Sequence, residues 1–133
     1  MTGRVFADTN LFIYAESDEL DKAAKAFEII QTNPVISTQV INETVNTLTR
    51  KYKFLLSEAH EIAGGMLDLC EVVPIDSGTV RKAIELTKHY SLSHWDSLIV
   101  AAALLADCTT LFSEDMQHGQ TIDGRLVIVN PFL

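Results

Sequence analysis

The sequence predicts an α/β fold: a three-layer sandwich in which a five-stranded parallel sheet lies between helices on both faces. Three observations predict it. Short apolar runs of β type alternate with longer stretches of helical period, the pattern of parallel strands joined by crossover helices. The strands are nearly continuous apolar runs, as expected where both faces of a sheet are covered. At 133 residues, 47% apolar and 21% charged, the chain has the size and composition of a single folded domain over residues 1–133.

The elements follow in order. Val5-Phe6-Ala7 is a first strand ending at Asp8. Asp8, Thr9 and Asn10 are all good N-capping residues, so a short helix over 11–15 follows at once. Over 19–31, Leu20, Ala23, Ala24, Phe27 and Ile30 recur at helical spacing, and the helix stops before Asn33-Pro34. Val35-Ile36-Ser37 is a second strand. The next helix, over 38–53, stacks Ile41, Val45, Leu48 and Tyr52 on one stripe. With about 100° of turn per residue, Glu43 points about 190° from that stripe and is not a core position. Ser57 caps a helix reaching residue 69, in which Gly64-Gly65 is a point of bending. Glu71-Val72-Val73 forms a third strand that Pro74 ends. Asp76 caps a helix to residue 90, and Ser93 caps an apolar helix to residue 106. Residues 110–113 and 126–129 are the fourth and fifth strands, joined by a polar connection over 114–125. No repeat, linker or low-complexity tract interrupts this order.

Composition excludes several classes. Eighteen acidic against ten basic residues give a net charge of −8, so the broad basic surface of a general nucleic-acid binder is missing. Cys70 and Cys108 match neither a metal-binding spacing nor a disulfide framework, which fits a reducing, cytoplasmic setting. The N-terminal segment MTGRVFADTN lacks the pattern of a secretory leader. The longest uncharged apolar run, 98–106, is far shorter than the roughly 20 residues that span a bilayer, so no membrane association is expected. The four histidines are scattered, and no Gly-x-Ser-x-Gly elbow, Walker loop or GxGxxG is present.

Acids stand where such a fold binds ligands, beyond the carboxyl ends of the strands. Asp8 follows the first strand, Glu43 lies early in the helix after the second, Asp96 opens the apolar helix, and Glu114-Asp115 follow the fourth. No neighbouring Lys or Arg in sequence neutralises them. Carboxylates brought close together raise one another's pKa, and a divalent cation removes the conflict. An all-oxygen donor set suits Mg²⁺ or Mn²⁺ rather than zinc. Each acid also has a structural reading: Asp8 as a helix cap, Glu43 as a solvated helix residue, Asp96 in a capping box with Ser93, and Asp115 as a turn residue.

Four segments, in order and spacing, resemble the PIN-domain family almost from end to end. They are Phe6-Ala7-Asp8-Thr9-Asn10, Ile36-Ser37-Thr38-Gln39-Val40-Ile41-Asn42-Glu43, His94-Trp95-Asp96-Ser97 with its apolar helix, and Leu111-Phe112-Ser113-Glu114-Asp115. The likeness is greatest to the VapC-type toxins and their relatives, and the tail from Gln117-His118-Gly119-Gln120 to Asn130-Pro131-Phe132 resembles one branch of them. The resemblance implies Mg²⁺- or Mn²⁺-dependent hydrolysis of RNA phosphodiesters, a homodimer, and, in toxin members, a small antitoxin protein. By position it implies Asp8, Glu43 and Asp96 as core metal ligands and catalytic acids. Asp115 is then the fourth acid, with Glu114 able to share that role, and Thr9 and Ser113 are polar residues beside the site.

In this reading the divalent ion lowers the pKa of an attacking water and offsets charge on the phosphate, and no side-chain nucleophile is needed. The net charge implies weak binding to random RNA and selection by structure or sequence. Two further classes are an inactive PIN-like binding module and a Mg²⁺-binding receiver-type phosphotransfer domain. The receiver reading wants an acidic pair after the first strand, an acceptor Asp after the third and a Lys after the fifth. Here Asp8 stands alone, Asp76 lies beyond Pro74, and the fifth strand leads to Asn130.

Overall fold

Each expected strand is present, and the order in which they pair decides where a site can form. In a computed structural model describing residues 3–133, Arg4–Ala7 forms β1, Val35–Ser37 β2, Glu71–Val73 β3, Cys108–Phe112 β4, Thr121–Ile122 β5 and Leu126–Val129 β6. Met1 and Thr2, the start of the segment read above for a leader, lie outside the described residues. The sheet order is β3-β2-β1-β4-β6-β5. Every pairing is parallel except β5 with β6. The chain builds outward from β1 through β2 to β3, then restarts on the other side of β1 with β4. The reversal point therefore lies between the carboxyl ends of β1 and β4, where Asp8 and Ser113 emerge. Asp8 N–H donates to the Phe112 carbonyl (3.0 Å), which locks these two ends together.

The sheet has six strands rather than the expected five, and it is mostly rather than wholly parallel. The extra strand, β5, lies inside the segment read as a polar connection. It folds back on β6 because Asp123 and Gly124 both adopt positive φ (52° and 67°), the backbone that an Asp-Gly pair supplies to hairpins. Arg125 N–H closes the turn on the Ile122 carbonyl (3.1 Å).

The helices are α1 (Thr9–Ala15), α2 (Leu20–Ile30), α3 (Thr38–Arg50), α4 (Leu56–Leu69), α5 (Ser77–His89) and α6 (His94–Leu105). Asp8 and Asp76 cap α1 and α5 as expected, and the Ser93 hydroxyl accepts from Asp96 N–H (3.1 Å) at the start of α6. α6 is apolar all round, with every residue from Ser97 to Leu104 buried between α5 and strands β2 and β4. Burial accounts for the uncharged run as far as Leu104, but Leu105 is exposed and Ala106 half-buried at the end of the helix. Among the described residues no helix is long and apolar enough to cross a membrane.

Two local expectations need correction. α3 ends at Arg50 rather than residue 53, because Lys53 takes the left-handed conformation (φ 61°) and Phe54 N–H terminates the helix on the Leu48 carbonyl (3.0 Å). Tyr52 therefore leaves the apolar stripe and is 47% exposed. Ser57 does not cap α4. Leu55 occupies the cap position and its N–H donates to Glu58 Oε1 (2.8 Å), while Gly64 and Gly65 lie within an unbroken helix. Cys70 and Cys108 are free thiols, and burial pushes both up to about 11.

Candidate active site

Asp8 is placed by two strands at once. It ends β1, caps α1 through Thr9 N–H on Oδ1 (2.7 Å), and receives the buried Ser113 hydroxyl from the end of β4 on Oδ2 (2.7 Å). Both carboxylate oxygens are thus fixed, and the residue is only 5% exposed. Burial raises its pKa from 3.8 to about 6; the hydrogen bonds from Ser113 and Thr9 oppose the rise, and the charges of Glu43 and Asp115 add to it. The capping role and the site role belong to the same side chain.

Glu43 comes to Asp8 through α3. Thr9 Oγ1 donates to Glu43 Oε1 (2.8 Å) while its backbone serves Asp8, so one residue ties the two acids. Gln39, one helical turn earlier on the same face of α3, donates through Nε2 to Glu43 Oε2 (3.0 Å) and to the Trp95 carbonyl (3.1 Å). That amide is 9% exposed and links α3 to the first turn of α6, where Asp96 sits. The Asp96 pKa is raised by partial burial and by the Asp115 charge, and to a lesser degree by Glu43, against the lowering effect of Ser93.

Glu114 and Asp115 part company. Glu114 accepts from the Tyr14 hydroxyl (2.7 Å) and from Lys22 Nζ (2.9 Å). Burial favours its neutral form, but these two partners outweigh burial and lower its pKa. Asp115 accepts from Asn10 Nδ2 (3.2 Å), and among the described residues no basic side chain forms an ion pair with it.

Asp8, Glu43, Asp96, Glu114 and Asp115 all line one open cleft of about 490 Å³ at the reversal point of the sheet. Lys51 and Tyr52 stand on its wall, just past the end of α3. Among the described residues, four of the five carboxylates lack a cationic partner, so the cleft concentrates negative charge in partly buried surroundings. The donor chemistry is that of a hard divalent cation, with carboxylates and hydroxyl or amide neighbours and no thiol or imidazole. Among the described residues, however, no three acidic, histidine or cysteine groups approach closely enough to share an ion as they stand.

A family model described as PIN domain matches residues 5–121. The chain belongs to the PIN-domain family. This PIN domain is similar in structure to VapC20 of Mycobacterium tuberculosis, a toxin that cleaves the sarcin-ricin loop. The TM-score is 0.68 and the identity 19%, over 84% of this chain and 89% of that one. It is similar also to a toxin-antitoxin complex from Klebsiella pneumoniae (TM-score 0.70, 19% identity, 96% and 97% covered). A DNA-bound VapBC from Salmonella typhimurium is a third (TM-score 0.71, 14% identity, 96% and 97% covered). At these identities the likeness is one of fold. No curated protein matches the chain.

Sequence reasoning singled out the four acids with Thr9 and Ser113, and all except Ser113 line the cleft, Ser113 reaching it through Asp8. It missed Gln39, whose spacing of four residues from Glu43 was the available signal. It also missed Tyr14 and Lys22, which no spacing connects to Glu114 because the contact is made across the fold.

Proposed function

We propose that this PIN domain is a divalent-cation-dependent endoribonuclease, acting as the toxin of a toxin-antitoxin pair. The observation that carries the reading is the convergence of Asp8, Glu43, Asp96 and Asp115 on one cleft in which, among the described residues, none of the four is ion-paired, whereas Glu114 pairs with Lys22. In this reading Asp8, Glu43, Asp96 and Asp115 hold one or two Mg²⁺ or Mn²⁺ ions. A bound ion supplies Lewis acidity, which lowers the pKa of water and offsets phosphate charge. The protein's own part is positioning. Ser113 and Thr9 fix both oxygens of Asp8, Thr9 and Gln39 fix both oxygens of Glu43, and the Ser93 cap fixes the turn bearing Asp96. Burial raises the proton affinity of Asp8, so a cation held there would compete with a proton as pH falls through about 6. Lys51 on the cleft wall supplies a contact for a phosphate beside the acids.

The family supports a nuclease, and the toxin-antitoxin neighbours support a small antitoxin protein as partner. A homodimer, a single domain over the whole chain and a cytoplasmic location complete the proposal. The test is electron paramagnetic resonance titration of Mn²⁺ into the purified protein beside Asp96→Asn, followed by RNA cleavage assays. Saturable binding that the substitution abolishes supports the reading. Binding that is missing, or indifferent to the substitution, favours the inactive binding module.

A further inference from the structure

Trp95 is the chain's one tryptophan, and it stands 64% exposed on the first turn of α6, next to Asp96. Leaving an indole in water forfeits the burial of a large apolar face. The residue is nevertheless held in place. Its carbonyl accepts from the buried Gln39 amide that also holds Glu43, and the His94 ring packs edge-on against the indole (centroids 5.5 Å apart, planes at 73°).

The indole borders a shallow groove of about 370 Å³ whose other walls include Leu98, Ile75, Asn42 and Asn46. Glu43 and Asn46 line both this groove and the acidic cleft, so the two spaces adjoin across a shared wall. The lining is an aromatic face, aliphatic side chains and two exposed carboxamides, with no cation. A phosphate finds no cation there and meets the Glu43 carboxylate on the shared wall. A flat heteroaromatic ring with donors and acceptors on its edge finds both a stacking surface and amides able to donate and accept.

We propose that Trp95, with Asn42 and Asn46, forms a subsite for an unpaired nucleobase of single-stranded RNA next to the acidic cleft. The inference rests on the ribonuclease reading. Lys51 and Tyr52 lie on the cleft wall just beyond the end of α3, so a strand crossing the acids meets a cation for its phosphate on that wall and the Trp95 face in the adjoining groove. A base inside a duplex is already stacked and does not reach the indole, so the subsite selects single strands. This is also how a protein of net charge −8 gains RNA affinity by contacts other than phosphate.

Trp95 is its own reporter. The full chain in Mg²⁺ is titrated with A8, U8 and C8 RNA octamers and with an A8–U8 duplex, reading Trp95 emission and, separately, anisotropy of end-labelled octamer. Saturable quenching by at least one single strand is expected, with little response to the duplex. Trp95→Ala is expected to weaken octamer binding about 5- to 150-fold, the loss typical of one base–aromatic stack. Trp95→Phe is expected to retain most of it, and Asn42→Ala with Asn46→Ala to change the ranking of the three octamers. Thermal melting of each variant separates loss of fold from loss of contact.

An emission spectrum that octamers leave unmoved, together with wild-type affinity in Trp95→Ala, overturns the subsite. A spectrum that shifts with protein concentration but not with RNA overturns it too, and makes the face a contact between copies of this chain. RNA cleaved in Mn²⁺ while Trp95 stays silent rejects the subsite alone. Octamers neither bound nor cleaved reject the subsite, and the ribonuclease reading falls with it only where Mn²⁺ binding is missing as well.

Discussion

Asp8→Asn in metal-free buffer is expected to make the protein more stable, not less. Folding lifts the Asp8 carboxyl from 3.8 to about 6, chiefly by burial. A raised folded-state pKa means that the neutral form is favoured in the fold. The stability associated with it is complete below about pH 3.8 and is lost as pH rises through about 6. With about 1.36 kcal/mol for each tenfold change in proton affinity, the ionised Asp8 costs about 3 kcal/mol at pH 7.5 and about 1 kcal/mol at pH 4.5. At 5% exposure, little of this is relieved by solvent. Asparagine keeps an acceptor for Thr9 N–H and has no charge to bury, so it escapes most of that cost. At roughly 2.1 cal/mol/K of unfolding entropy per residue over 133 residues, 3 kcal/mol corresponds to about 10 °C in Tm. The assay is urea denaturation of both proteins in EDTA at pH 4.5 and 7.5, repeated with excess Mg²⁺. A stabilisation that grows from the lower to the higher pH is expected, and Mg²⁺ is expected to narrow it by stabilising only the protein that retains all its ligands. A variant less stable than wild type at pH 7.5, or a difference independent of pH, would refute the assignment of Asp8 as a buried, charge-strained acid.

Ser113→Ala removes the buried hydroxyl from Asp8 Oδ2 and is expected to cost about 1–3 kcal/mol at pH 7.5 and less at pH 4.5, because a charged acceptor is left unmet; denaturation at the two pH values checks it. Lys22→Gln frees Glu114 of its cation and is expected to tighten Mn²⁺ binding several-fold, since the cleft gains uncompensated negative charge, and to leave thermal stability nearly unchanged. Gln39→Leu breaks the bonds to Glu43 and to the Trp95 carbonyl but also removes a buried amide oxygen that has no partner, so the net cost is about 1 kcal/mol. Its Mn²⁺ affinity is expected to fall about tenfold by resonance titration, whereas a purely structural role for Gln39 would leave that affinity at the wild-type value.

Local signals carried most of the fold. Asp8, Asp76 and Ser93 are capping residues at the ends of periodic segments, and the apolar run that begins at residue 98 is buried through Leu104. The placement of four acids after strands or in early helical turns follows from that element order, because a parallel sheet delivers its loops to one edge. Where local signals compete, the sequence reading went astray. Tyr52 continues the spacing of the α3 stripe, yet Lys53 takes a left-handed conformation for which glycine is the usual sign, and no glycine marks the stop. The Asp123-Gly124 hairpin signal was present, but the two-residue strand before it is too short to show a period.

By itself, then, the sequence determined the α/β class, the order of its elements and the set of acids available to a site, since capping, periodicity and apolar continuity act over a few neighbouring residues. Tertiary structure decided which of those acids are alike. Glu114 and Asp115 are adjacent in sequence and line the same cleft, yet Lys22 and Tyr14, contributed by other parts of the chain, pair with Glu114, while among the described residues no cation pairs with Asp115. Burial of Asp8 beneath the β1–β4 junction and the Gln39 link between α3 and α6 were likewise decided only by packing. Solvation and charge pairing depend on what the fold brings within a few ångströms, and residues 105 positions apart, such as Asp8 and Ser113, meet only when the sheet reverses its order between β1 and β4.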